Sequence, residues 1–294
     1  MVTENSSFSL VKFPSLASVD WSMAQTADVL QISGFVPGGI FHSEHLIWRA
    51  DLSGCSDPTQ LIRSKRDQQS HQKAMAFFTE QGMHVKTLPM TESLFQEFRV
   101  LYDDTTMIRE RPIRFDLDSL VLGKIKVNQP VYLIGLFEQK KLISGLIFSV
   151  YNDKVSVSYG AKRKFGIRGG AGGVFEHELA QFCLEHGYTD VTHGTATNPV
   201  GLYTRAGVFE FKVRYGYTAY PMGRWVTSFI QHPEAALSEF VFVGMAPESV
   251  EYTIVSDLEP KEIKQKYATR ESANIRVLSK AQVTKQFEKL TQSV

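Results

Sequence analysis

Along this chain the spacing of apolar residues switches between the period of a strand and the period of a helix. Val131 to Phe137 and Leu142 to Val150 are apolar runs on either side of the polar turn Glu138 to Lys141. Asn152-Asp153 then turns into a third run, Val155 to Tyr159. This antiparallel meander is mostly apolar, so it predicts a sheet covered by helices. Helical spacing appears on both sides of it. Leu94, Phe98, Leu101 and Tyr102 share one face of a helix that Thr91 can cap. Phe175, Leu179 and Phe182 share one face of a second helix, Val174 to about His186, which Gly187 ends.

The rest of the pattern is read in the same way. Residues 1 to 56 hold short apolar runs broken by glycine and proline, which suits strands and turns. Asp57-Pro58 starts a helix expected to reach Gln81 and stop at Gly82, with a solvated polar middle from Arg63 to His71. A strand from Met83 to Leu88, a loop with three arginines from Thr105 to Phe115 and a helix from about Asp116 to Leu122 are expected before the meander. After the Val174 helix come a strand from Thr189 to His193, a short helix from Asn198 to Arg205 closed by Gly207, and strands at Val208 to Tyr215 and Tyr217 to Trp225. The last part alternates as strands Phe240 to Val243, Tyr252 to Val255 and Ile275 to Leu278, with helices Glu259 to Tyr267 and Lys280 to Leu290. The expected domains are an N-terminal extension (1–56), a central domain (57–225) and a small α+β appendage (226–294).

Composition narrows the function classes. The chain has 294 residues, 43% hydrophobic and 21% charged, with enough apolar material for a sizeable core. A net charge of +1 argues against wholesale wrapping of nucleic acid. Cys55 and Cys183 make no disulfide framework and no zinc spacing, which suits a reducing, cytoplasmic setting. No apolar run reaches the roughly 18 to 20 residues that span a bilayer, and the first residues lack the basic and apolar regions of a signal peptide. His42-Ser-Glu-His45 pairs two histidines without a third ligand at recognisable spacing, so no metal is expected.

The candidate chemistry begins at Lys162. Lys162, Arg163, Lys164 and Arg168 place four positive charges in seven residues, and Gly169, Gly170, Ala171, Gly172 and Gly173 then enter a helix. Small residues let backbone N–H groups approach a ligand, and a helix start carries partial positive charge. Together they suit a phosphate or pyrophosphate. The run lacks the Gly-Lys-Ser/Thr ending of a Walker loop, and hairpin-linked strands are not the setting of a dinucleotide fingerprint.

Meander, glycine loop, helix, strand and second short helix, in that order, resemble the GNAT superfamily of N-acyltransferases. Arg168-Gly-Gly-Ala171-Gly-Gly173 is similar to its Arg/Gln-x-x-Gly-x-Gly/Ala loop, with Ala171 where the first glycine is usual. Leu202-Tyr203-Thr-Arg205-Ala-Gly207-Val208 is similar to its Leu-Tyr-x-Lys/Arg-x-Gly-Phe segment, with Asn198 two residues closer to the tyrosine than usual. Gly207-Val-Phe-Glu-Phe211-Lys212-Val-Arg-Tyr215-Gly216 is also similar to the Gly-x-x-x-Phe-Lys-x-x-Phe-Gly segment of Fem-type aminoacyltransferases. The resemblance covers roughly residues 57 to 220.

The resemblance implies an α/β chain with a GNAT-like mixed, largely antiparallel sheet flanked by helices, extended at both ends. It implies direct attack of a small-molecule or peptide amine on an acyl-CoA or acetyl-CoA donor. Arg163, Arg168, Gly169, Gly170, Ala171, Gly172 and Gly173 would hold the donor, and Tyr203 would protonate the departing thiolate. Lys212, by the Fem-like segment, would contact phosphate. Aminoacyl-tRNA is the alternative donor, not favoured at this net charge, with the basic residues from Arg63 to Lys73 and Arg109 to Arg114 facing it. A catalytically silent relative that binds a ligand or partner is the third reading. No carboxylate lies on Val155 to Tyr159, where many relatives keep one. His193, with its near-neutral intrinsic pKa, is the candidate base. Glu176 is expected in the first turn of its helix, complementing the dipole.

Overall fold

A computed structural model of the chain describes residues 9–62, 64–107, 115–162, 170–201, 205–236, 239–268 and 274–293. In chain order its elements are Leu10–Phe13 (β1), Trp21–Ala24 (α1), Val29–Ser33 (β2), Ile40–Asp51 (β3), Lys65–Glu80 (α2), Met83–Pro89 (β4), Glu92–Met107 (α3), Gly123–Lys126 (α4), Val131–Glu138 (β5), Lys141–Tyr151 (β6) and Lys154–Lys162 (β7). Ala171–His186 (α5), Asp190–Thr197 (β8), Ala206–Arg214 (α6), Thr218–Ile230 (β9) and Phe240–Met245 (β10) follow. Val250–Val255 (β11), Pro260–Tyr267 (α7), Asn274–Leu278 (β12) and Lys280–Gln292 (α8) close the chain. The residues group into two compact units. One is Arg49–Gly194 with Arg214–Gly216. The other holds the described residues up to Trp48, Thr195–Val213 and those from Tyr217 onward.

The first unit is built on the meander. β4, β5, β6 and β7 pair antiparallel in sequence order, and β8 joins β7 in parallel. Asn152 and Asp153 take positive φ (45° and 60°), the hand that a tight hairpin turn between twisted strands requires. Leu133 and Ile147 pack under Phe95, Phe98, Leu101 and Tyr102 of α3. Their neighbours Tyr132 and Phe148 face the other way and meet Phe182 of α5, with ring centroids 5.0 and 4.9 Å away. Helices therefore cover both faces, as the doubly apolar pattern predicts. The parallel return from β7 to β8 needs a crossover, and α5 supplies it. The fold is mixed α/β, with a largely antiparallel sheet flanked by helices.

In the second unit β1 lies parallel to β2, and β2 antiparallel to β9. β10, β11 and β12 form a separate sheet, with β10–β11 antiparallel and β11–β12 parallel. Phe240, Phe242, Val255, Leu278 and Val283 share a core with Val29, Ile40 and Ile230. The strands and helices expected after residue 239 are all present. Among the described residues, no helix is long and apolar enough to cross a membrane.

Several expectations are corrected. The helix expected from Asp57 to Gln81 is two. Asp57 caps a 3-10 turn, Pro58–Leu61, and Ser64 caps α2 by accepting from the Asp67 N–H at 3.1 Å. The polar middle of α2 is not merely solvated, because Asp67 and His71 are buried. The expected loop at Thr105 begins later, since α3 continues to Met107. Residues 108–114 lie outside the described ones. Residues 198–201 are not helical. The Asn198 amide instead mimics a strand edge, donating to Val243 O at 2.8 Å and accepting from Val243 N–H at 3.0 Å. Val208 to Tyr215 is no strand. All of it but Tyr215 falls in α6, which buries Phe209 and Val213 one turn apart, with Phe209 against Trp48, Tyr252 and Tyr267.

Candidate active site

β7 is the element around which the site is organised. Its parallel pairing with β8 runs from Lys154↔Asp190 to Val157↔His193 and ends there, while its pairing with β6 continues to Ser144↔Lys162. The register with β6 slips at the same place. Ile147 faces Tyr159 and Phe148 faces Val157, which leaves Ser158 as the extra residue of a bulge. A bulge bends and twists its strand, so β7 leaves β8 where the bulge falls. From Ser158 to Lys162, no described strand covers the second edge of β7.

That edge has a fixed end. The Lys162 N–H donates to Thr105 Oγ1 at 3.0 Å, and the same hydroxyl lies 2.7 Å from Lys162 O. Thr105 on α3 thus takes the place of a strand neighbour. Alternate residues of a strand aim their backbone groups to the same side, so Gly160 presents its amide along this edge. Gly160 is exposed. An extended chain laid there can hydrogen-bond the backbone, as an added strand does.

α5 begins beside this edge in sequence. It starts at Ala171, earlier than the expected Val174, so most of the small-residue run forms its first turn rather than a preceding loop. Gly170 caps it at φ 109°, and a Cβ there would lie 2.5 Å from Ala74 Cβ on α2. A Cβ on Gly173 would collide with the Tyr215 hydroxyl. These two glycines are required by packing. Ala171 is buried, and Gly172 alone of the described run faces outward within the turn. No acid occupies the first turn, so its N–H groups keep their positive character for an anion.

Glu176 lies beyond the first turn and does not act as a dipole partner. Its Oε2 is 3.1 Å from Nε2 of His193, and the two side chains are only 5% and 10% exposed. A carboxylate is seldom buried without a donor, and the imidazole N–H supplies one. Glu176 shares its helix face with Gly172, Leu179 and Cys183. An acid on an otherwise apolar stripe was the sequence signal for this pair. Tyr215 lies close to the same carboxylate. Burial raises its phenol above the ordinary value, with Asp67 and Glu176 adding to that and Arg214 opposing it. Arg214 in turn pairs with Asp67.

Two further histidines meet at the next position of α5. His71 of α2 stacks on His177, with ring centroids 4.2 Å apart. Burial, and then the charge of His177, push His71 down to about 4. Burial also lowers His177, against the pull of Asp57. Cys183 is buried and pushed up to about 12, a poor nucleophile at neutral pH.

Of the residues singled out in the sequence, the structure brings Gly170, Ala171, Gly172, Gly173 and His193 into one unit, on α5 and β8. Arg163, Arg168, Gly169 and Tyr203 lie outside the described residues. Lys212 belongs to the other unit and to a helix rather than a strand. Its ammonium lies 5.6 and 5.1 Å from the ring centroids of Phe211 and Tyr217.

No family model and no curated protein matches the chain. Among solved structures it is similar to FemX, at 11% identity and a TM-score of 0.47, over 72% of this chain and 74% of that one. It is similar to the C-terminal domain of a putative lysylphosphatidylglycerol synthetase from Agrobacterium fabrum, at 12% and 0.42, over 71% and 70%. It is also similar to the PaiA N-acetyltransferase of Thermoplasma acidophilum, solved with coenzyme A, at 9% and 0.38, over 49% and 98%.

Proposed function

We propose that this protein is an N-acyltransferase that moves an acyl group from an acyl-CoA-type donor to an amine by direct attack. The observation that carries the reading is the departure of β7 from β8 at Val157↔His193. It supports binding of an extended, amide-bearing donor arm along Gly160, with phosphates at the first turn of α5. Gly172 allows their close approach, and Arg163 and Arg168 from the basic run add charge. A CoA donor suits these residues because it combines an amide-bearing arm with a pyrophosphate.

His193 takes the proton from the acceptor amine as its nitrogen forms the C–N bond. The donor's C–S bond breaks, and the Tyr203 phenol gives the departing thiolate its proton. His193 and Tyr203 thus serve as base and acid, with no covalent enzyme intermediate. Tyr203→Phe is expected to slow transfer by at least about tenfold with donor affinity nearly unchanged.

The test is a thermal-shift series with acetyl-CoA, longer acyl-CoAs and aminoacyl-tRNAs, followed by mass spectrometry of amine acceptors. Stabilisation by an acyl-CoA and formation of an amide are expected, since a ligand that binds only the native state raises stability. Tight, salt-sensitive tRNA binding without a CoA response would replace the donor with aminoacyl-tRNA. Binding without turnover would leave a silent relative.

A further inference from the structure

We propose that the stacked His71–His177 pair is an acid-sensitive latch, which holds α2 against α5 while both rings are neutral and releases α2 from the entry of α5 as pH falls. The release rests on geometry within one unit, and its effect on the donor rests on the acyltransferase reading. The rings face each other with centroids 4.2 Å apart, tilted by 20°. Nδ1 of each ring is buried and has no hydrogen-bond partner. A neutral ring tolerates this with a lone pair at Nδ1. A protonated ring carries N–H at both nitrogens, so Nδ1 becomes a buried, charged donor without an acceptor. A proton on each ring sets two like charges face to face.

The surrounding charges do not offset a proton. Asp57, the cap of the 3-10 turn packed on α5, acts on His177, but burial outweighs it. Asp67, one turn before His71 on α2, is engaged by Arg214 and the Ser64 hydroxyl. Lys65, Arg66 and Lys73 of α2 are exposed, as are His84 and Lys86 of β4, the strand that contacts α2. On α5, Glu176 meets His193, and burial and Glu185 hold the Glu178 carboxyl above its ordinary range. β5 and β6 meet α5 through the uncharged rings of Tyr132, Phe148 and Phe182. Burial, and then the charge of His177, holds His71 at about 4 rather than 6.5. Between those values an opened α2 binds a proton that the closed pair refuses. The contact is therefore at full strength above 6.5 and is lost as pH falls toward 4. The pair also lies beside the entry of α5. His71 stands one turn from Ala74, the residue that a Cβ on Gly170 would strike. Withdrawal of α2 removes the wall behind Gly170, the cap of the turn that presents N–H groups to an anion.

The deciding experiment is amide hydrogen exchange read by mass spectrometry on the full-length protein at pH 7, 5.5 and 4.5, corrected for the intrinsic pH dependence of exchange. It needs no ligand, so it separates this inference from the acyltransferase reading. Between pH 7 and 4.5, wild-type α2 is expected to lose protection at least about tenfold more than β5 and β6 of the same unit. His71→Phe keeps a flat ring that takes no proton, and should cut the extra loss to less than about threefold. His177→Phe makes the same test from the other side, should His71→Phe fail to fold at pH 7. Parallel loss across α2, β5 and β6, or an undiminished extra loss in a folded phenylalanine variant, overturns the proposal.

Coenzyme A is the probe for the effect on the donor. As pH falls from 7 to 4.5, its Kd by titration calorimetry should rise at least about tenfold more in wild type than in His71→Phe. Titration of the ligand's own phosphates and of His193 is common to both proteins and cancels in that ratio. Equal rises overturn the latch's control of the donor entry. If coenzyme A fails to bind at pH 7, the donor reading fails, while the exchange result still decides the latch.

Discussion

His193 and His42 are both buried histidines on strands, and their surroundings differ in a way that separates chemistry from packing. His42 Nδ1 lies 2.6 Å from the Ser43 carbonyl oxygen and Nε2 lies 2.7 Å from the Ser228 hydroxyl. A carbonyl takes the ring's proton and a hydroxyl can donate to its lone pair, so the neutral ring is satisfied at both ends. Full burial pushes it down to about 4. His193 meets a carboxylate instead, at the point where two strands part. His71 is a third case, stacked on another histidine with no acid bonded to it among the described residues. A satisfied or stacked neutral ring stabilises a core. In the proposed function the ring that meets a buried acid is the one that takes the acceptor's proton.

The strongest way to break this contrast is to replace each ring in turn. His193→Asn is expected to slow acyl transfer by about 100-fold or more while donor affinity holds. His71→Phe keeps a flat ring over His177 and should leave the rate within about threefold. Initial rates and donor titrations on the two variants decide it, and equal losses would remove the distinction.

A smaller effect sharpens it through pH. The folded-state value of His42 is depressed from 6.5 to about 4, so between those values the unfolded chain binds the proton and the folded chain does not. Stability therefore rises with pH across that window and is lost as pH falls from 6.5 toward 4. The contribution is at most about 3.5 kcal/mol, since each of the 2.5 pH units between 6.5 and 4 is worth about 1.4 kcal/mol. Urea melts at pH 7 and pH 4 should show a smaller acid loss for His42→Gln than for wild type. Parallel losses would mean that the ring is already protonated in the fold.

The smallest expected effect carries the same division into the glycines of α5. Gly170→Ala forces a side chain into positive φ and against Ala74, at a cost of about 1 to 3 kcal/mol. Gly172→Ala, outward-facing in the first turn, should gain up to about 1 kcal/mol from helix propensity. It should nonetheless weaken acyl-CoA binding if phosphates approach that backbone. Chemical melts and the thermal-shift series measure both, and unchanged donor affinity in a folded Gly172→Ala would move the phosphates elsewhere.

The meander was legible in the sequence because its signals are local. Alternation, the Asn152-Asp153 turn and the stops at Gly82 and Gly187 all act within a few residues, and both glycines take the positive φ expected at a helix end. α6 was not legible. In Val208 to Tyr215 the apolar residues Phe209, Phe211, Val213 and Tyr215 alternate as in a strand, yet Phe209 and Val213 also stand one helical turn apart. Packing against Trp48, Tyr252 and Tyr267 selected the helix. Propensity is a weak prior, and tertiary contacts override it.

By itself the sequence determined the apolar periods, the turns and the small-residue entry to α5, because each depends on neighbours within a turn or a hairpin. Only the tertiary structure decided what those residues are for. It showed that Gly170 and Gly173 make room for Ala74 and Tyr215, and that β7 leaves β8 at a bulge. It also brought Glu176 to His193 across 17 positions. That meeting requires α5 to carry the chain over the sheet and back into register with β7. No local spacing rule encodes such a contact, because it depends on the packing of the whole helix against the strands.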